Sequence, residues 1–194
     1  MELFWIIASY LIGSIPFTLI IGKLFKNTDI RDHGSGNLGG TNAIRVLGPK
    51  LGLPAGILDI SKALTVVLLA KYGVIDFGFS ALYLGVAASI GHCFPLFAQF
   101  KGGKAVSTTI GAVLAFAPVI TIISAVIAFT VIKVSKFVSV GSTVLGIAIV
   151  VMFIFVPGYK DAILPGALLL ALIMYRHIPN YKRLLSGNEN KAKL

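Results

Sequence analysis

The sequence predicts an all-α integral membrane protein of seven transmembrane helices, with its N-terminus outside and its C-terminus in the cytoplasm. Three observations carry that prediction. Hydrophobic residues make up 57% of the 194 and charged residues only 12%, with a mean hydropathy of +0.94, well outside the composition of soluble domains. Long apolar runs recur from residue 3 to residue 175, parted by short Gly, Pro or charge clusters, which leaves no room for a separate soluble domain. The basic residues fall unequally into those gaps. Residues 1–194 are therefore read as one transmembrane domain.

The first span, about 3–22, has no basic segment ahead of its apolar run and no convincing small-residue cleavage site behind it, so it is read as retained rather than as a signal peptide. The second, about 53–70, carries Asp59, Ser61 and Lys62 near its start; helix capping, an Asp59–Lys62 pair one turn apart and ligand contact are all open there. The third, about 79–98, holds His92 near its cytoplasmic end, where a hydrogen-bonded core histidine competes with the functional bias of intramembrane ionisable groups. No charge occurs between Lys104 and Lys133, a stretch too long for one crossing, so Pro118 is read as the turn of a tight hairpin between spans at about 105–117 and 119–134. The sixth, about 139–156, opens on Ser139 and Ser142, as caps or as ligand contacts, and the seventh, about 161–176, stops short of Pro179, which should break it.

Seven spans place the termini on opposite sides. With the N-terminus outside, fourteen Lys and Arg residues face the cytoplasm, only Lys71 and Lys160 face outward, and Lys62 lies within a span. Topology and attraction to anionic headgroups then explain a net charge of +10 with the lipid bilayer as partner and without nucleic acid. The single Cys93 excludes an intramolecular disulfide and reads as packing. His, Cys and carboxylates nowhere adopt metal-ligand spacing, so neither metal nor cofactor is expected.

Three polar islands interrupt this apolar chain, all on the cytoplasmic side. The first is HGSGNLGGTNAIRVLG, His33 to Gly48, in the largest loop, residues 23–52. Its glycines allow close approach and positive φ, consecutive N–H groups with Ser35 and Thr41 can cup an anion, and Arg45 offers a planar fork to phosphate. A flexible Gly-rich linker explains the same composition. No Gly-Lys-Ser/Thr closes the loop and no strand precedes it, so it is not a nucleotide-binding loop. The second island, Gly91 to Thr109, sets Gly102, Gly103 and Lys104 before a helix opening with Ser107, Thr108 and Thr109, where helix N-terminal amides favour an anion. Lys101 is the better candidate for simple positive-inside anchoring. The third, Arg176 to Leu194, places His177 and Asn180 three apart just past the last span, with Arg183 following. Those three can return to the interface of the other islands and supply donors and a titratable imidazole, whereas Lys191 and Lys193 read as headgroup contacts.

These residues resemble the bacterial acyl-phosphate:glycerol-3-phosphate acyltransferases, an integral membrane family of similar size. SGNLGGTNAIR at 35–45, HCFPLFAQFKGGKAVST at 92–108 and HIPNYKRLLSGNEN at 177–190 match the family's three cytoplasmic motifs in order. Gly40 stands where the family carries Ala, Ala105 where it carries Gly, and Ile178, Pro179 and Tyr181 alter the third motif's spacer, but the polar positions are kept. The His-x4-Asp spacing of the better-known glycerol-phosphate acyltransferases is absent, since Leu38, Phe97 and Lys182 follow the three histidines at that distance.

The resemblance implies seven spans in the bacterial inner membrane and a site at its cytoplasmic edge. It also implies transfer of an acyl group from acyl phosphate to the sn-1 hydroxyl of glycerol 3-phosphate, giving lysophosphatidic acid and phosphate. By motif position it makes Ser35, Arg45, Lys104, His177 and Asn180 the catalytic set, with Gly36, Asn37, Thr41, Asn42, Gly102 and Gly103 as substrate contacts and Glu189 as a structural position; Ser142, outside the three motifs, is added as an assisting substrate contact. The chain is expected to act as a monomer. An acyl phosphate is already an activated mixed anhydride, so proximity and electrostatics can supply most of the rate. Ser35 and Lys104 would hold the acyl phosphate, and Arg45, His177 and Asn180 glycerol 3-phosphate, the proton leaving on substrate phosphate. His177 as general base is the alternative; an acyl-serine at Ser35 ranks below both. A small transporter of an organic phosphate fits the composition equally, but transporters favour midplane sites between repeated halves, and no repeat is visible.

Overall fold

The computed structural model describes residues 1–192; Lys193, expected beside headgroups, lies outside the described residues. The chain forms two compact units, one from Met1 to Phe116 and a second from Ala117 onward.

The first unit contains α1 (Glu2–Gly13), α2 (Phe17–Lys26), α3 (Gly40–Leu47), α4 (Pro49–Lys71), α5 (Leu82–Cys93) and α6 (Val106–Phe116). The expected first span is thus broken in two. Pro16 has no N–H to donate and restricts Ile15 ahead of it, so the chain leaves helix geometry between Gly13 and Phe17. The 23–52 loop is also less of a loop than expected. It holds the end of α2, a 3₁₀ turn at Ile30–Asp32 and all of α3, whose Ala43 and Leu47 are buried one turn apart while Thr41 and Arg45 stay exposed. Leu19, Ile30, Leu38, Ala43, Leu47, Ala55 and Ala98 make the core beneath this segment.

Helix packing in this unit uses small residues, as helices in lipid require when backbones must approach closely. A Cβ at Gly13 would run into the backbone of Ala88, and one at Gly91 into that of Tyr10, so α1 and α5 meet at the glycines. Gly111 seats α6 on the backbone of Ile60 in α4 in the same way. α4 begins earlier than expected, with Pro49 at its first turn where a missing N–H costs nothing, and it tolerates Pro54 inside. Asp59, Ser61 and Lys62 therefore lie in mid-helix. Capping is excluded for them: Gly48 is the N-cap, and the Ser61 hydroxyl donates back to Leu58 O at 2.8 Å.

The second unit comprises α7 (Pro118–Ser135), α8 (Val138–Phe155) and α9 (Ile163–Leu185), with α7 and α9 each packed on α8. α6 ends at Phe116 and α7 starts on Pro118 at its first turn, so this proline parts two helices rather than kinking one. Pro179 does not act as expected. α9 runs through it to Leu185, nine residues past the expected end of the span, since helices near membrane depth absorb the lost bond through neighbouring groups.

Five segments are long and apolar enough to cross a bilayer: Glu2–Lys26, Pro49–Lys71, Pro118–Ser135, Val138–Phe155 and Lys160–Leu185. The expected third and fourth spans appear as the shorter apolar helices Leu82–Ala98 and Val106–Phe116. The regular part of α5 has 12 residues, which rise about 18 Å at ~1.5 Å per residue, less than the ~30 Å hydrocarbon core.

Candidate active site

In the first unit, the two expected phosphate loops are joined. Asn37 Nδ2 donates to Gly102 O at 3.1 Å, and Arg31 Nη1 donates to Ala98 O at 3.1 Å, so the 31–42 segment is bonded directly to the α5–α6 loop. Arg31 is itself held by Asp29, which accepts its Nε at 2.9 Å and its Nη2 at 2.6 Å. The Arg31 guanidinium keeps the Asp29 carboxyl below the usual carboxylate range.

Asn42 organises the first loop from inside. Its amide is buried, accepts the Ser35 N–H at 2.9 Å, and donates to the carbonyls of Ile30, Asn37 and His33 at 2.9, 3.0 and 3.1 Å. Asn42 thus scaffolds the loop, its two amide hydrogens shared among three carbonyls. The expected cradle of consecutive free N–H groups changes. The amides of Ser35, Gly36, Gly39 and Gly103 are bonded to Asn42 Oδ1, His33 O, Asn37 Oδ1 and His92 O.

What the first loop presents outward are side chains and the start of α3. Ser35 is half-buried, Thr41 and Arg45 are exposed one turn apart, and the amides of Gly40 and Thr41 have no acceptor within their helix. Gly36 has φ +66°, a conformation that explains its glycine.

The second loop is shaped by packing. A Cβ at Gly103 would fall on the His92 ring, and one at Gly102 on the His92 and Cys93 carbonyls and the Pro95 ring. Both glycines are buried and let the loop approach α5 closely. Lys104 is half-buried. It precedes Ala105, whose φ of +63° turns the chain into α6, so Gly102–Lys104 lies just upstream of the first helical residue, Val106. His92 is buried in the last turn of α5, with Nδ1 3.2 Å from Lys62 Nζ. Lys62 pairs with Asp59 at 2.8 Å, the i,i+3 pairing considered from sequence. The inclusion of His92 in that pair had no sequence signal, since it lies 30 residues away.

The second unit carries the remaining expected residues. His177 is buried, with Nδ1 2.8 Å from Ile173 O. A carbonyl only accepts, so Nδ1 bears the hydrogen and, in the neutral ring, Nε2 is the acceptor. Asn180, one turn on, donates from Nδ2 to Glu189 Oε1 at 2.6 Å, and Arg183 Nε donates to Glu189 Oε2 at 2.9 Å. Burial raises the Glu189 carboxyl, but Asn180, the nearby Ser139 hydroxyl and Arg183 together outweigh it and hold the group below its ordinary range. Ser142 is buried in the first turns of α8, near Thr143, whose hydroxyl meets Tyr181 Oη at 2.7 Å. Among the described residues no three His, Cys, Asp or Glu side chains gather as a metal site.

Comparison with known proteins agrees along nearly the whole chain. A family model described as "Glycerol-3-phosphate acyltransferase" matches residues 3–187. A glycerol-3-phosphate acyltransferase of Bacillus velezensis is 45% identical over 190 residues, covering 97% of this chain and 96% of the relative. One of Bacillus cytotoxicus is 44% identical over 187 residues, covering 96% and 93%. The crystal structure of PlsY (YgiH), an integral membrane glycerol 3-phosphate acyltransferase, superposes in its glycerol 3-phosphate form with a TM-score of 0.90 at 37% identity, covering 98% of this chain and 95% of that one. Its lysophosphatidic acid form gives 0.87. With a matching model over most of its length and relatives this similar end to end, the chain belongs to the PlsY family of integral membrane glycerol-3-phosphate acyltransferases.

Proposed function

We propose that this acyltransferase moves an acyl group from acyl phosphate to the sn-1 hydroxyl of glycerol 3-phosphate, releasing lysophosphatidic acid and inorganic phosphate as an early step of phospholipid synthesis. The observation that carries the reading is the full-length likeness to an acyltransferase solved with glycerol 3-phosphate. In the reaction the sn-1 oxygen attacks the acyl carbon, the bond from that carbon to the phosphate oxygen breaks, and phosphate leaves with the electron pair. The leaving group is good enough that positioning and charge stabilisation do most of the work.

In this reading Ser35 and Lys104 hold the acyl phosphate, while Arg45, His177 and Asn180 hold glycerol 3-phosphate, with Gly36, Asn37, Thr41, Gly102, Gly103 and Ser142 around them. The first phosphate contacts come from the Ser35 hydroxyl, the Arg45 fork and the free amides opening α3, since the neighbouring loop amides are engaged internally. The proton leaves on substrate phosphate. A second route sends it to His177 Nε2, supported by the Nδ1 contact with Ile173 O that leaves Nε2 as the acceptor. The chain works as a single monomeric domain in the bacterial inner membrane, with seven crossings, its N-terminus outside and its site facing the cytoplasm. It needs no metal or cofactor.

The deciding experiment is turnover by the purified full chain in detergent with a long-chain acyl phosphate and glycerol 3-phosphate. Stoichiometric phosphate release and lysophosphatidic acid are expected, undiminished by EDTA. Ser35→Ala and Arg45→Lys should each lose about one to two decades of kcat/KM, the worth of one charge-assisted contact of ~1.5–3 kcal/mol, while Lys50→Ala remains at wild type. Equal activity in all three variants would remove the first loop from the site.

A further inference from the structure

Lys62 sits in the middle of a membrane helix and is 3% exposed, a location where an ammonium needs every hydrogen engaged. Its Nζ lies 3.0 Å from Gly13 O, 2.9 Å from Ile15 O, 2.8 Å from Asp59 Oδ1 and 3.2 Å from His92 Nδ1. The first two partners explain its position. Pro16 breaks the first membrane segment and leaves the Gly13 carbonyl at the end of α1 without its helical donor, while the Ile15 carbonyl accepts only the Phe17 N–H across the break, at 3.1 Å. Lys62 donates to both from the neighbouring helix, and its Nζ also stands 5.8 Å from the centre of the Phe17 ring that opens α2. The third hydrogen goes to His92 Nδ1, and Asp59 stands beside the ammonium as its ion-pair partner.

Two short paths lead from this cluster to the loops. Next to an ammonium, His92 Nδ1 is an acceptor, so the ring hydrogen is on Nε2, on the edge that Gly103 packs against; the His92 carbonyl also accepts the Gly103 N–H at 2.9 Å. In the first turn of α2, one residue past Phe17, Thr18 Oγ1 donates to Leu38 O at 2.7 Å. The paths meet where Asn37 donates to Gly102 O. Thr18, Leu38, Asp59, Lys62, His92 and Pro95 line one narrow crevice.

We propose that Lys62, paired with Asp59 and His92, is a positioning residue for the acyl transfer: it seals the break in the first membrane segment and thereby sets residues 35–45 and 102–104 at the spacing the substrate phosphates require. This rests on the reading of those two segments as phosphate-binding. None of the three residues touches substrate in this account; they act through Thr18, Leu38 and Gly103.

The test separates positioning from simple stability. Lys62→Met alone leaves Asp59 as an uncompensated buried charge and lowers the melting midpoint, whereas Asp59→Asn/Lys62→Met removes both charges and recovers most of it. The double variant nonetheless keeps a KM for glycerol 3-phosphate raised about five- to twentyfold with kcat within about twofold, because the bonds to the Gly13 and Ile15 carbonyls and the His92 contact stay unmade. His92→Asn, whose Oδ1 replaces Nδ1 as acceptor, stays within about threefold of the wild-type KM, while His92→Phe shows the full rise. Wild-type KM in both the double variant and His92→Phe, or a KM that only follows the melting midpoint across the series, overturns the proposal. Ser35→Ala and Arg45→Lys run in the same assay distinguish its failure from that of the underlying reading. If they are impaired while the Lys62 and His92 variants are normal, only the positioning role falls; if they too are normal, the phosphate-loop assignment falls first.

Discussion

Replacing Asn42 by Asp should damage the enzyme at least as much as replacing it by Ala, although Asp is nearly isosteric. The side chain is 2% exposed, and its two faces have opposite demands: Oδ1 accepts the Ser35 N–H at 2.9 Å, while Nδ2 supplies two hydrogens to three carbonyls, those of Ile30, His33 and Asn37. Counting the shared hydrogens as two bonds and Oδ1 as a third, truncation to Ala removes about three net hydrogen bonds, or ~3 kcal/mol at ~1 kcal/mol each. That is roughly two decades in the balance between ordered and disordered loop. Asp keeps the bond to Ser35 but turns an acceptor-only oxygen toward three carbonyls, so repulsion is added to loss. The assay is steady-state KM and kcat for glycerol 3-phosphate, with hydrogen exchange across residues 33–42 as the readout of loop order. We expect KM to rise about tenfold or more in both variants, with faster exchange. An Asp variant with wild-type KM and exchange would mean that the Asn42 amide does not face the carbonyls, and the scaffolding account would be wrong.

Gly103→Ala should be severely impaired because the added carbon falls on the buried His92 ring, which Lys62 holds in place; Gly73→Ala, whose added carbon meets nothing, should lose only the ~1–2 kcal/mol of its positive φ, measured as melting midpoint with activity kept. Glu189 carries a depressed carboxyl, so its contribution is complete above the unfolded value near ~4.3 and is lost as pH falls through the lower folded value. Below about pH 4.3 the wild-type melting midpoint should therefore drop more steeply than that of Glu189→Gln, and parallel curves would exclude the Asn180–Glu189–Arg183 arrangement as its cause. Cysteines introduced at Ser35 and Ser186 should react with an impermeant reagent only after the cytoplasmic face is opened, and one at Tyr159 from outside; labelling of Ser35 and Tyr159 from the same side refutes the seven-crossing orientation.

Composition and the spacing of apolar runs sufficed for an all-helical membrane protein and for the approximate position of most helices, because burial in lipid is decided by the average polarity of about 20 residues. They also sufficed for the three polar islands, which stand out chemically against their neighbours, and for the Asp59–Lys62 pair, whose members are one turn apart on the same helix. Interruptions were less legible. Pro16 and Pro179 look alike locally, yet the first breaks a helix and the second is carried through one, since the outcome depends on whether other parts of the chain satisfy the freed carbonyl. The functions of Asn42 and Gly103 were equally hidden. A glycine-rich anion cradle and a glycine-rich packing joint have the same sequence, and which amides stay available is settled only when Asn42 reaches Ser35 and Gly103 comes to rest on His92. Sequence determines which polar groups the chain carries and in which segments. Only tertiary structure decides which of them are already bonded to one another, because a hydrogen bond between residues 30 or 65 positions apart, as from Lys62 to His92 or from Asn37 to Gly102, has no local signature in either partner.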